Sequence, residues 1–98
     1  MKVNISEAAK ADLIAIQDWI AAENPERATT FVNELLNCCA ELEDRPTIYP
    51  VVSRYASLGI RRRLFRSYLI FYRVSEDMID IIHILHGSRD YEALLGAE

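Results

Sequence analysis

The chain has 98 residues, 51% of them apolar, and a formal net charge of −4. That length holds one domain, residues 1–98, and that composition supplies a core, so an extensively disordered chain and a two-domain chain are both excluded. The acidic balance excludes a general nucleic-acid binder, whose whole field is positive, and no sequence-specific nucleic-acid binding by this chain alone is expected.

No apolar run follows a basic start, so neither a secretory leader nor a membrane span is expected, and the cytoplasm is the expected compartment. A domain this small is modestly stable, and a bound partner can supply much of its stability. Lys2–Ile5 reads as a short strand. Ser6 then suits a helix N-cap, with Glu7 favourable at the positive end of the helix dipole. From Glu7 to about Glu23, Ala9, Leu13, Ile16 and Ile20 form one apolar stripe, with Asp12 and Asp18 on or near the wet side. Trp19 lies off the centre of that stripe. It either flanks the core or belongs to an exposed patch that a partner covers. Asn24-Pro25 caps and opens a second helix, to about Glu43, whose buried face is Ala28, Phe31, Leu35, Cys39 and Leu42. The very short connection makes the two helices an antiparallel hairpin. Cys38 and Cys39 point about 100° apart on that helix, so they read as packing residues and not as a disulfide.

Arg45–Gly59 is irregular, because Pro46 and Pro50 interrupt both helix and central strand. Its Ile48, Tyr49, Val51 and Val52 are too apolar for a free linker, so the segment is expected to pack on the domain. Ile60–Phe65 is the next strand, with Ile60, Arg62 and Leu64 on one face and Arg61, Arg63 and Phe65 on the other. Two strongly β-type runs follow, Tyr68–Val74 and Met78–Leu85, around the turn Ser75-Glu76-Asp77. Ile81, Ile82, Ile84 and Leu85 send bulk to both faces, so this hairpin is expected inside a sheet covered on both sides. Gly87 permits the turn after it, and Tyr91–Leu95 suits a last helical turn capped by Ser88 or Asp90. The order is β-α-α-β-β-β: a two-layer α+β domain, a helical hairpin packed on an antiparallel sheet.

Charge is unevenly spread. Residues 1–50 carry four Lys/Arg against nine Asp/Glu, whereas residues 51–98 carry seven against six. Six arginines and no acid lie between Arg54 and Arg73. Such a stripe suits a local site for an anion or an acidic partner.

The element order, the run Gly59–Val74 (GIRRRLFRSYLIFYRV) and the run Ile81–Asp90 (IIHILHGSRD) resemble the ParE/RelE superfamily of toxins from bacterial type II toxin–antitoxin modules. The resemblance covers nearly the whole chain. It implies one of two activities, cleavage of messenger RNA on the ribosome (RelE-like) or poisoning of DNA gyrase (ParE-like). In both, a cognate antitoxin neutralises the toxin by wrapping it with a C-terminal segment. Metal-free RNA cleavage needs a base, a cation for the phosphorane and an acid for the leaving oxygen. Arg61, Arg63, His86 and Arg89 are the set a RelE-like mechanism would use. However, Leu95 stands where such toxins carry a C-terminal tyrosine, and Tyr91 is a poor substitute. Only Lys2 and Lys10 supply lysine, where a ribosomal site selects a strongly basic surface.

The resemblance therefore implies a ParE-like toxin that inhibits gyrase by binding, with a ParD-like antitoxin as partner and plasmid stabilisation as the role. The alternatives are the RelE-like endonuclease and a non-toxic binding module of the same fold. Trp19, Arg61, Arg62, Arg63, Arg66, His86 and Arg89 are the expected partner-binding residues. Each has a bland reading: the arginines as a solvated strand, His86 as a strand-end cap, Arg89 with Asp90 as a turn-pinning ion pair. His83 reads as a satisfied, half-buried ring. Trp19, Tyr49 and Tyr55 are candidates for surface that the antitoxin covers. No phosphate loop, nucleophile motif, paired carboxylates or metal-ligand spacing is present, so no cofactor and no metal is expected.

Overall fold

A computed structural model describes residues 1–88 and Leu95. Chain order is β1 (Lys2–Ile5), α1 (Glu7–Ala21), α2 (Pro25–Glu41), a 3-10 segment (Ser53–Leu58), β2 (Ile60–Phe65), β3 (Tyr68–Val74) and β4 (Met78–His86). Both helices start where their caps require. Ser6 Oγ accepts from Ala9 N–H at 3.0 Å and donates to Ile82 O at 3.0 Å, so one hydroxyl caps α1 and ties it to β4. Asn24 Oδ1 accepts from Arg27 N–H at 3.0 Å, with Pro25 at the first helical position.

The β2-β3-β4 meander is antiparallel, and the full strand order is β1-β4-β3-β2. The first strand pairs in parallel with β4, from Lys2↔Met78 to Ile5↔Ile81, so the four-stranded sheet is mixed. This pairing makes β4 an interior strand. The helices cover one face, burying Ala9, Leu13, Ile16, Phe31, Leu35, Cys39 and Leu42 against Ile70, Tyr72, Ile79, Ile81 and Ile84. Opposite, Ile60, Leu69, Phe71, Ile82 and Leu85 pack with Tyr55 and Leu95. The hairpin is thus covered on both sides, as its two-faced apolar pattern requires. Tyr55, expected among the exposed surface, is core at 7% exposure, because the 3-10 segment folds under the far face of the sheet.

Alternation along β4 breaks at one place. Phe71 pairs with His83, yet the next residue, Tyr72, pairs with Ile81, which leaves Ile82 as the extra residue of a β-bulge. The bulge explains why Ile79 and Ile81 face the helices while Leu85 packs on the other side. It is held from α1. Asp12 Oδ2 accepts from His83 Nδ1 at 2.8 Å and from Ile84 N–H at 2.9 Å. Asp12, expected on or near the wet side, keeps only 14% of its side-chain exposure, since the bulge turns these donors toward it. His83 is the satisfied, half-buried ring that its position suggested. Because a carboxylate only accepts, the His83 proton facing it resides on Nδ1.

Candidate functional site

The three consecutive arginines do not act as one stripe. Alternation on β2 sends Arg61 and Arg63 to the helix side and leaves Arg62 exposed. Arg61 Nη1 donates to Tyr49 O at 2.7 Å and to Thr47 O at 3.2 Å, so it fastens the proline-bracketed loop. The Tyr72 hydroxyl fastens the same loop by donating to Pro46 O at 2.9 Å. Arg63 Nη1 donates to Cys38 O at 2.8 Å, its Nη2 pairs with Glu41 at 2.8 Å, and the guanidinium lies over the Tyr49 ring. No basic residue occupies the last turn of α2, so Arg63 supplies from the sheet the cation that the carbonyl end of that helix favours. Burial raises the neighbouring Cys38 and Cys39 thiols, and Cys39 is pushed up to about 12.

The remaining sequence-selected side chains gather at the opposite end of β3. Arg66 occupies the β2–β3 corner with a left-handed φ of 56° and stacks its guanidinium over Phe65. Tyr68 pairs across the sheet with both Phe65 and His86. Phe31 meets Phe65 at 5.7 Å and Tyr68 at 5.6 Å between centroids, and Tyr68 meets His86 edge-on at 5.2 Å. Burial raises the Tyr68 hydroxyl, so it stays protonated at neutral pH. His86 Nδ1 accepts from Ser88 N–H at 3.1 Å, which places the neutral ring's proton on Nε2. Gly87 N–H donates to Ser67 O at 2.7 Å, closing this corner.

Trp19 stands beside it, 78% exposed on the last turn of α1 and so not packed against the core. A hollow of about 430 Å³ is lined by Trp19, Ile20, Arg27, Phe31, Arg66, Ser67, Tyr68 and His86. Further hollows extend from Trp19 toward Glu23 and Asn24, and toward Asp12 and Ile84. Arg27 on the rim forks onto Glu34 and holds that carboxyl below the usual carboxylate range. Sequence reasoning singled out Trp19, Arg66 and His86 but missed Phe31, Tyr68 and Arg27. Arg89, Asp90 and Tyr91 lie outside the described residues. Among the described residues, no three His, Cys, Asp or Glu side chains converge as metal ligands, and no helix is long and apolar enough to cross a membrane.

The structure therefore brings together apolar and aromatic surface with a basic rim. Of the nuclease set, it does not bring Arg61 to His86. Arg61 lies opposite Tyr72, four residues along β3 from the Tyr68 that faces His86, and so about 13 Å away along the strand direction alone. This surface is carried by a two-layer α+β domain, a helical hairpin on a four-stranded mixed sheet.

The chain belongs to the ParE toxin family. The family model for the ParE toxin of type II toxin-antitoxin systems, parDE, matches residues 3–91. The chain is also similar to a solved structure of the chromosomal ParDE toxin–antitoxin system from P. aeruginosa, with 26% identity and a TM-score of 0.69 over 88% of this chain and 95% of that one. Comparison with curated protein sequences gives no match.

Proposed function

We propose that this ParE-family toxin inhibits DNA gyrase by binding, in the cytoplasm, and is held silent by a ParD-like antitoxin encoded beside it. Plasmid stabilisation is the role this gives the module. One observation carries the choice of a binding mechanism over a nuclease. Arg61 and Arg63, the cations that RNA cleavage would need, are engaged by backbone carbonyls and Glu41, and Arg61 lies four residues along the sheet from the position that faces His86. A phosphorane needs preorganised donors aimed at one point. Removing these guanidinia from their carbonyls would release the loop and the end of α2.

Expression without antitoxin tests the reading. Filamentation and a DNA-damage response are expected before any fall in protein synthesis, and the purified toxin is expected to accumulate cleaved DNA in a gyrase reaction. Early arrest of translation with cut messenger RNA would overturn the reading in favour of the endonuclease. Growth unchanged at high toxin levels would leave only a non-toxic binding module.

A further inference from the structure

We infer that the Asp12–His83 pair selects between two registers of β4 and so positions the corner where His86 meets Tyr68. Asp12 and His83 are positioning residues in this role, because they act on the corner through the strand that carries it.

The apolar pattern of β4 does not choose its register. A slip by one residue sends every side chain to the opposite face of a sheet, and it is resisted where only one face is buried. Here both faces are covered, with Ile84 buried beneath the helices and Ile82 and Leu85 buried on the far side. Without the bulge, the pairing Val74↔Ile79 would continue unbroken through Phe71↔Ile82 to Tyr68↔Leu85. Ile84 would then move to the far face and Leu85 to the helix side. That exchanges two apolar side chains of near-equal volume, a change that cores tolerate. His83 alone resists the slip. It would enter the apolar layer beneath the helices, where an unpaired imidazole is unfavourable.

The observed register gives that ring its partner. Asp12 Oδ2 accepts from His83 Nδ1 at 2.8 Å and from Ile84 N–H at 2.9 Å, so one carboxylate of α1 takes both donors that follow the bulged residue. Ser6 holds the other side of the bulge. Its N–H donates to Ile81 O at 3.1 Å and its hydroxyl to Ile82 O at 3.0 Å. Downstream, this register delivers His86 opposite Tyr68, with ring centroids 5.2 Å apart, and brings Gly87 N–H to Ser67 O at 2.7 Å. In the slipped register His86 would pass Tyr68 and turn to the far face. Fixing register is the best-attested use of a buried polar pair.

The double variant Asp12→Ala/His83→Leu tests this. It removes the pair and offers the slipped register a side chain that suits the layer beneath the helices. Nuclear Overhauser contacts of the Tyr68 ring in the refolded full chain read the register. The native chain should show contacts to the His86 ring; the variant should lose them and gain contacts to the Leu85 methyls. Deleting Ile82 from the same variant removes the extra residue, so it should return His86 to Tyr68 although the pair is gone. A purely stabilising pair would produce neither the exchange nor the rescue. With the native chain read as a gyrase-binding toxin, inhibition of gyrase should be lost in the double variant and regained on the deletion.

Tyr68–His86 contacts that persist in the double variant would overturn the proposal, since the bulge would then form without the pair. If the double variant does not fold, the deletion decides: a chain lacking both the pair and Ile82 should fold with Tyr68 against His86, and its failure to do so would overturn the proposal. Failure of the native chain to inhibit gyrase would overturn the reading of its function instead, and the register would still be judged on the ring contacts.

Discussion

Replacing Asp12 by alanine removes the one carboxylate that holds the bulge of β4. Its Oδ2 takes the His83 ring proton at 2.8 Å and the Ile84 backbone N–H at 2.9 Å, in a site where the Asp12 and His83 side chains keep 14% and 12% of their exposure. Alanine leaves two donors facing a gap that water barely reaches. A buried donor left unsatisfied costs about 1–3 kcal/mol, and bonds to a charged acceptor contribute about 1.5–3 kcal/mol each. Partial exposure and relaxation of the ring bring the expected loss to about 2–4 kcal/mol. For a domain of this size that is a fall in Tm on the order of 10–20 °C. Asp12→Asn retains an acceptor oxygen for Ile84 and should lose only about 1 kcal/mol. Urea unfolding of the refolded chain, followed by circular dichroism, measures both. A loss below about 0.5 kcal/mol for alanine, or equal losses for alanine and asparagine, would refute the idea that this carboxylate pins the bulge.

Arg63→Ala should destabilise the fold by about 1–3 kcal/mol, read in the same unfolding assay, because it uncaps the end of α2 and uncovers Tyr49. Arg61→Ala should leave global stability nearly intact but raise hydrogen exchange and proteolysis between Arg45 and Tyr49, the stretch it fastens. Folded protein should show no rapid Cys39 modification by a thiol reagent at pH 8, and both cysteines should react after unfolding. The same thiol sets a pH dependence. Its folded pKa of about 12 lies above the ordinary 9.0, so its contribution is fully present below pH 9 and is lost as pH rises from about 9 to about 12. Cys39→Ala should flatten the alkaline limb of a stability–pH profile.

The helices and strands were legible because their signals are local. Ser6, Asn24 and Pro25 announce helix starts, and stripes stepping by three and four announce buried faces. The two-faced apolar pattern of β4 likewise foretold cover on both sides. What the sequence concealed depends on register and reach. Counting back from the turn, Val74↔Ile79 would place Leu85 opposite Tyr68; the bulge at Ile82 moves His86 there instead, and with it the aromatic ladder. Nothing local marks that bulge, since Asp12, which holds it, lies 71 residues from His83. The arginines misled for a related reason. Charge runs are visible in one dimension, but whether a guanidinium meets solvent or a carbonyl depends on the loop that passes it. Arg61 and Arg63 find such carbonyls at Thr47, Tyr49 and Cys38. Trp19 was legible as off-stripe, and it is 78% exposed.

The parallel seam between β1 and β4 has a consequence for the order of synthesis. Asn4 and Asp80 meet side by side although 76 positions separate them. β1 therefore has no hydrogen-bonding neighbour in the sheet until β4, the last strand among the described residues, emerges from the ribosome. By then α1 and α2 have long been free to collapse on each other through contacts of short sequence separation, while β1 must wait on a distant closure. A nascent chain halted before Met78 exposes the helical stripes with no sheet beneath them and leaves β1 an unpaired edge. Translation thus delays the final assembly of this fold until nearly all of it has been made, and a partner that binds exposed apolar surface gains that interval in which to act.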